Sequence, residues 1–220
     1  MSFIPDIISQ LTGPYPYRAA WIYLEEKGQI LFGPHFSLYA RDGEIILKLL
    51  AWALKDEKLA AKYELDLHKG ILLSGPVGCG KSALLLLLRL LLPPPERYAI
   101  KPCREIACEF GEEGFPVLGR YTKQSFSRLH SIDGEPMPRA VCFDDLGREP
   151  IVQHFGNQVN VMTELLLSRY DYFSTHRMIT HITTNLNSTE IEERYGKAVR
   201  SRCRSLFNLI AFDKDAPDKR

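Results

Sequence analysis

The stretch HKGILLSGPVGCGKS, His68 to Ser82, decides the fold of this chain. It opens with an apolar run, continues through a loop that contains three glycines, and leads into a leucine-rich segment that stops before Pro93. The loop, Gly75–Ser82, satisfies the pattern GxxxxGK[ST]. Glycines at these positions let the backbone curl so that its N–H groups surround phosphate oxygens. The stretch therefore predicts a strand, a phosphate-binding loop and a helix, in that order.

Two side chains of the loop have a predicted chemical role. Lys81 is expected to reach the β- and γ-phosphates of a nucleotide, and the Ser82 hydroxyl is expected to bind Mg²⁺. The helix that begins here also points the positive end of its dipole at the anion. A plain strand-to-helix turn would leave Lys81 without a role. The predicted nucleotide-binding residues are Gly75, Pro76, Val77, Gly78, Cys79, Gly80, Lys81, Ser82 and Ala83.

Composition narrows the class of protein. The 220 residues are 45% hydrophobic and 25% charged, which suits one globular domain. A net charge of +1 gives no global attraction for nucleic acid or lipid, so such binding needs a local patch.

Five cysteines without a CxxC pair indicate reduced thiols in an intracellular protein. The apolar run Ser82–Leu92 is shorter than the ~20 residues of a membrane span. We expect a cytoplasmic protein with no membrane partner.

Helical and strand patterns alternate after the first 40 residues. An amphipathic helix is predicted from Asp42, its expected N-cap, to Lys55. A second helix, with Val159 and Met162 at the start of its apolar face, precedes the fourth strand. The alternation predicts an α/β fold, a P-loop NTPase with a parallel sheet between helices. After the strand before the loop, the further predicted strands are RYAIKP (97–102), RAVCFDD (139–145), MITHITTN (178–185) and LFNLIAFD (206–213).

Residues 1–38 are interpreted as an N-terminal arm, because proline and glycine recur too often for a long helix. Its aromatic side chains either stack on bases or dock a partner, or they pack the arm onto the domain. Residues 39–213 are expected to form the core domain and residues 214–220 a C-terminal tail. The aromatic residues of the arm are Tyr15, Tyr17, Trp21, Tyr23, Phe32 and Phe36.

Polar residues follow two of the predicted strands. Asp144 is the candidate Mg²⁺ ligand beside Ser82, and Asp145 is expected to orient or deprotonate the attacking water. Paired acids after a strand also serve as a helix N-cap or a turn, and that alternative stays open. If the fourth strand lies between the strands of the loop and of Asp144, Asn185 faces the γ-phosphate and positions the water. Asparagine at this position is otherwise a common turn residue.

The order of four segments resembles that of AAA+ ATPases of the DnaC/IstB group. The resemblance covers roughly residues 39–213. It includes the stretch HKGILLSGPVGCGKS, which contains the loop, and the segment FDDLG. The four segments are Gly75–Ser82, Asp144–Gly147, Thr184–Leu186 and the stretch from Tyr195-Gly196 to Ser201-Arg202.

The resemblance implies a five-stranded AAA+ core, Mg²⁺-dependent hydrolysis of ATP, and self-association through the ATP site. Members of the group load replicative helicases or assist transposases, so a protein of one of these two kinds is the expected partner. Because the sequence stops soon after the fifth strand, we expect the small helical lid domain of most AAA+ proteins to be absent. The arginine called sensor 2 is not assigned, and Arg220 is its candidate.

The segment YGKAVRSRC, Tyr195–Cys203, concentrates basic residues. On a helix, at about 100° per residue, Lys197, Arg200 and Arg204 share one stripe, and they contact DNA phosphates or form a solvated face. Arg202 instead borders the apolar side. The resemblance assigns Arg202 to the arginine finger, which stabilises charge on ATP bound by the adjacent subunit; Arg200 is the alternative finger.

These residues lead to one functional interpretation and two alternatives. We interpret the chain as an ATPase that acts in DNA replication as a DnaC-like helicase loader, with single-stranded DNA as a further partner. A transposition helper of the IstB type is the first alternative. The second is a nucleotide-gated switch that binds a protein without contacting DNA, since Asp145 stands where glutamate is commoner and would slow hydrolysis.

Overall fold

A computed structural model describes residues 4–9, 11, 14–132 and 135–219. Numbered in chain order, its strands are β1 Gly70–Ser74, β2 Ala99–Pro102, β3 Phe126–Ile132, β4 Glu135–Pro138, β5 Val141–Leu146, β6 Val152–His154, β7 Asn157–Val159, β8 Thr180–Thr184 and β9 Phe207–Ala211. Its helices are α1 Asp6–Ser9, α2 Tyr17–Phe32, α3 Gly43–Ala53, α4 Glu57–Lys62, α5 Lys81–Leu91, α6 Cys103–Glu113, α7 Pro116–Tyr121, α8 Val161–His176 and α9 Ser188–Leu206. Ala40–Asp42 and Pro94–Glu96 form 3₁₀ turns.

The five predicted strands form one sheet in the order β2-β5-β8-β1-β9, and every neighbouring pair is parallel. β8 therefore lies between β1 and β5, as the interpretation of Asn185 required. In register, Ser74 of β1 and Leu146 of β5 both face Thr184 of β8. The carboxyl ends of these three strands consequently meet at one edge of the sheet, and the predicted α/β P-loop fold is confirmed.

Helices cover both faces of the sheet. Successive side chains of β1 point to opposite faces of the sheet, so the hydrophobic core has two parts. Ile71 and Leu73 pack on one face and Leu72 packs on the other. The first side buries residues of α2, α3 and α5, and the second buries residues of α6, α8 and α9. Two antiparallel hairpins, β3–β4 and β6–β7, stand apart from this sheet.

The prediction of an irregular arm is wrong for α2. Its prolines and glycines lie mostly at the helix ends, where Pro16 precedes the first turn and Gly33, with φ of 104°, terminates the helix. Inside the helix, Gly28 leaves room for the ring of Phe36. Trp21 is fully buried in the same core as the leucines of α5. Of the two roles considered for the aromatics of this region, packing onto the domain holds for Trp21.

Two details of the predicted helices also need correction. Asp42 stands at the N-cap position of α3, but its side chain makes no capping bond and instead accepts from the Lys219 ammonium. Val159 belongs to β7, because Asn160 caps α8 by accepting from the backbone N–H of Thr163 at 3.2 Å. Both differences arise from contacts between residues, and the spacing of apolar residues along the sequence does not reveal such contacts.

The basic segment lies on α9, which is interrupted. Gly196 has φ of 85° and ψ of 165°, so the helix is kinked between Tyr195 and Lys197. Beyond β9, residues 212–219 contain no helix, and Arg220 lies outside the described residues. Among the described helices, none is long and apolar enough to cross a membrane.

A buried arginine ties α8 to the amino end of the sheet. Arg169 is fully buried, and its guanidinium donates to the carbonyls of Tyr121 at 2.6 Å and Ile179 at 2.7 Å. It also donates to the Thr180 hydroxyl at 2.6 Å. Burial lowers the pKa of this guanidinium to about 9. These acceptors hold the start of β8 in place, and with it the strand that ends at the predicted site.

Replacing Arg169 by methionine should lower the free energy of unfolding by about 3 kcal/mol, because buried carbonyls lose their donors while the apolar volume is kept. Urea denaturation followed by circular dichroism measures the change. Arg18→Met on the exposed side of α2 is the control, with little expected effect. Equal stability of the two variants would contradict the role of Arg169.

Candidate nucleotide-binding site

The loop between β1 and α5 has the backbone that its glycines predict. Gly78 and Gly80 adopt φ of 81° and 99°, a left-handed conformation that other residues enter at a cost. The loop ends at Lys81, the first residue of α5, so the N-terminus of an 11-residue helix points back into it. Backbone N–H groups and the helix dipole together make the loop suitable for an anion.

The side chain of Lys81 makes hydrogen bonds at the centre of this loop. Its ammonium donates to the carbonyls of Gly75 at 2.9 Å and Pro76 at 2.8 Å, and to the side-chain oxygen of Asn185 at 2.7 Å. The residue is only 5% exposed, and burial lowers the pKa of its ammonium. Phosphate oxygens carry charge and are stronger acceptors than neutral carbonyls. Lys81 is therefore positioned to exchange these contacts for the phosphates of a nucleotide.

Ser82 and Asp144 meet across the site. The Ser82 hydroxyl donates to Asp144 Oδ1 at 2.7 Å, and the Thr183 hydroxyl donates to the same oxygen at 2.6 Å. Mg²⁺ prefers oxygen ligands and is usually held in nucleotide sites by one or two protein groups together with phosphates. A hydroxyl and a carboxylate in direct contact beside the loop therefore fit the predicted Mg²⁺ ligands.

Asp145 has an unusual backbone. Its φ is 56°, and the pairing of β5 with β8 shifts register between Phe143 and Leu146. A left-handed conformation at a non-glycine residue costs of order 1–3 kcal/mol and is typical of functional sites. Its backbone N–H donates to the Thr183 hydroxyl at 2.9 Å. The residue lines a cleft of about 260 Å³ that it shares with Lys81 and Asn185.

The structure thus brings together Lys81, Ser82, Asp144, Asp145 and Asn185, but not Arg202. β9 pairs with β1 so that Phe207 faces Gly70, at the edge of the sheet opposite the loop. α9 ends directly before Phe207, and Arg202, five residues earlier, is not among the residues that line the cleft of Lys81. Five residues of strand separate the two edges by about 13 Å.

Arg202 and the other basic residues of α9 have different surroundings. The guanidinium of Arg202 stacks on the ring of Tyr170 from α8, with 4.9 Å between its central carbon and the ring centroid. Arg200, the alternative finger, forms an ion pair with Glu192. Lys197 and Arg204 are exposed. The predicted stripe of three cations therefore contains one that is already neutralised.

Three features of the site were missed by sequence reasoning. Arg148 lines the cleft, and its position directly after the segment FDDLG was an available signal. Thr183 binds both Asp144 and the backbone of Asp145, which no pattern predicts. A second cavity of about 250 Å³ adjoins the loop at Gly78 and is lined by Leu38 and other apolar residues from the region before α3.

Neither a protein-family model nor a curated protein sequence matches the chain. Solved structures do match. A DnaC helicase loader is similar over 89% of this chain and 99% of that chain, with a TM-score of 0.56 and 15% identity. A putative primosome component from Streptococcus pyogenes serotype M3 is similar over 81% and 83%, with a TM-score of 0.52 and 18% identity. The DnaI structure is similar over 79% and 83%, with a TM-score of 0.52 and 19% identity.

At these identities the likeness concerns the fold. The chain shares its fold with the DnaC helicase loader and DnaI structures, as the order of motifs in the sequence predicted. In this chain, the five-stranded parallel sheet in the order β2-β5-β8-β1-β9 carries the loop.

Asp144→Asn should weaken binding of ATP in the presence of Mg²⁺ about tenfold and leave metal-free binding unchanged. Asparagine keeps an oxygen acceptor for Ser82 and Thr183 but removes the charge that favours Mg²⁺. Titration of a fluorescent ATP analogue with and without Mg²⁺ measures both affinities. The control is Asp171→Asn on the exposed side of α8. An equal loss of affinity under both conditions would contradict the metal role.

Proposed function

We propose that this protein is a Mg²⁺-dependent ATPase that binds ATP between subunits and loads a replicative helicase onto DNA. One observation carries the proposal: the ammonium of Lys81, the Ser82–Asp144 pair and the Asn185 side chain converge at one edge of the sheet. A cation within a glycine-rich loop, an oxygen pair for Mg²⁺ and an amide beside them are the groups that phosphoryl transfer to water requires.

Each residue then has a definite task. Lys81 and the backbone N–H groups of the loop bind the phosphates, while Ser82 and Asp144 hold the metal. When bound, Mg²⁺ neutralises charge on the phosphates. Asp145 accepts a proton from the attacking water or orients it. Asn185 positions that water, and its side-chain oxygen accepts a hydrogen bond from Lys81 in the structure.

Arg202 completes the site of a neighbouring subunit. Within one subunit it lies on α9, stacked on Tyr170, and it is not among the residues that line the cleft of Lys81. A guanidinium that cannot serve its own loop is available to ATP on an adjacent copy, where it would stabilise the charge that develops during transfer. Stacking on Tyr170 supports a fixed orientation for that contact.

Helicase loading is preferred over the other roles because of the solved structures that share the fold. The DnaC structure is that of a helicase loader, and nearly all of that chain, 99%, corresponds to this one. The similar protein from Streptococcus pyogenes is described as a putative primosome component. The partners proposed for this chain are accordingly a replicative helicase and single-stranded DNA.

Arg202→Ala should bind ATP as the unchanged protein does and lose turnover about 10³-fold, the lower end of what an arginine finger contributes. Lys81→Ala should lose turnover because it no longer binds the phosphates. Mixing the two inactive variants should restore part of the activity, since Lys81→Ala subunits supply Arg202 to ATP on the others. Arg204→Ala is the matched control. Full turnover by Arg202→Ala at high protein concentration would refute the role in trans.

The loading function is tested by ATP turnover with and without single-stranded DNA, followed by binding to the replicative helicase of the native host. We expect stimulation by DNA and a helicase complex that depends on ATP. Capture of a transposase instead would favour the transposition helper. At most one turnover per encounter, without stimulation by DNA, would favour the nucleotide-gated switch.

A further inference from the structure

The segment that follows β9 returns to the nucleotide loop. It leaves the sheet at Phe212, whose backbone N–H donates to the Ser74 carbonyl at 2.8 Å, at the end of β1. It then turns, and the backbone N–H of Lys219 donates to the Gly78 carbonyl at 3.0 Å. Asp213–Lys219 therefore runs from the end of β9 to the loop, and one main-chain hydrogen bond joins its last residue to Gly78.

The side chain of Lys219 forms part of the wall of the cavity beside the loop. Its ammonium donates to the Cys79 carbonyl at 2.6 Å and pairs with the Asp42 carboxylate. It also lies 5.2 Å from the ring centroid of Tyr39 and 4.8 Å from that of Phe212. The side chains of Lys219 and Asp42 are only 12% and 6% exposed. Because this pair is largely removed from water, taking away either partner leaves an uncompensated buried charge.

Asp218 lies against the loop itself. A Cβ atom built on Gly78 would be 2.2 Å from Asp218 Oδ1, so the carboxylate touches the glycine backbone. This cavity and the cleft of the predicted phosphate site share Gly78, Gly80 and Ala83 in their walls. A carboxylate at this position repels the phosphates of an incoming nucleotide. The Lys219 side chain stands in the wall of the adjoining cavity.

We propose that Asp213–Lys219 is an autoinhibitory latch, which the nucleotide must displace before the loop can hold it. The inference rests on the proposed function, because it assumes that the loop binds a nucleoside triphosphate. Asp42 and Lys219 set the strength of the latch. Nucleotide affinity is then reduced by the fraction of molecules in which the latch is closed.

Lys219→Ala tests the latch. It should tighten binding of the nonhydrolysable analogue AMPPNP with Mg²⁺ about tenfold, as expected for a latch closed in about nine molecules of ten. Lys214→Ala removes the same charge from an exposed position of the same segment and should leave the affinity unchanged. Asp42→Asn, which removes the other half of the ion pair, should tighten binding as Lys219→Ala does.

Hydrogen–deuterium exchange follows the latch directly. The backbone amides of residues 216 and 219, which donate to the Asp213 and Gly78 carbonyls, should exchange slowly in the unchanged protein. They should exchange faster both in Lys219→Ala without nucleotide and in the unchanged protein with AMPPNP. Slower exchange of this segment with AMPPNP would show that it closes over the ligand, which would overturn the proposal.

The outcomes separate the two proposals. If the unchanged protein binds AMPPNP and Lys219→Ala binds it equally or more weakly, the latch is wrong and the proposed function stands. If neither the unchanged protein nor any of these variants binds AMPPNP, the proposed function fails and the latch fails with it.

Discussion

The parallel pairing of β8 with both β1 and β5 is the constraint on which the whole site depends. Thr184 faces Ser74 on one side and Leu146 on the other, so three strands finish at the same level. The loop after β1, the carboxylates at the end of β5 and the Asn185 amide after β8 are thereby brought into one cluster. Arg169 supports this pairing from the other end of β8, where its buried guanidinium satisfies the Ile179 carbonyl and the Thr180 hydroxyl.

Two regions of the subunit then carry complementary halves of one proposed catalytic centre. The loop and its carboxylates occupy the carboxyl edge of the sheet, and Arg202 lies on α9, outside the cleft that they form. A buried carboxylate connects these regions: Glu149, just past the FDDLG segment, accepts from the Gly147 N–H at 2.8 Å and from the Tyr195 hydroxyl. Tyr195 directly precedes the kink of α9. Glu149 thus joins the segment after β5 to the first part of the helix that bears Arg202.

Much of this arrangement is local in sequence and was predictable for that reason. The spacing of glycines from Gly75 to Ser82 predicts the conformation of the loop backbone. The apolar runs before Asp144 and Asn185 predict buried strands, each followed by polar side chains. The prediction of an irregular arm was wrong because it rested only on how many prolines and glycines the region contains. Pro16 and Gly33 flank a helix and do not interrupt it.

Other features rest on contacts between distant parts of the chain. Thr183 serves Asp144 and Asp145 only because β8 lies beside β5. Lys219 meets Asp42 across 177 positions, and no spacing rule predicts that pair. The left-handed backbone of Asp145 likewise arises from the shift in strand register. The sequence predicts which groups the site contains, while the tertiary structure decides how they are held and what covers them.

The central claim is that one subunit holds the ATP and the next completes the site. Steady-state ATP hydrolysis per subunit, measured as the protein concentration is raised, tests it most directly. The account predicts a specific activity that rises with concentration and then reaches a plateau as subunits associate. A specific activity that is the same at every concentration, with hydrolysis by isolated subunits, would contradict it.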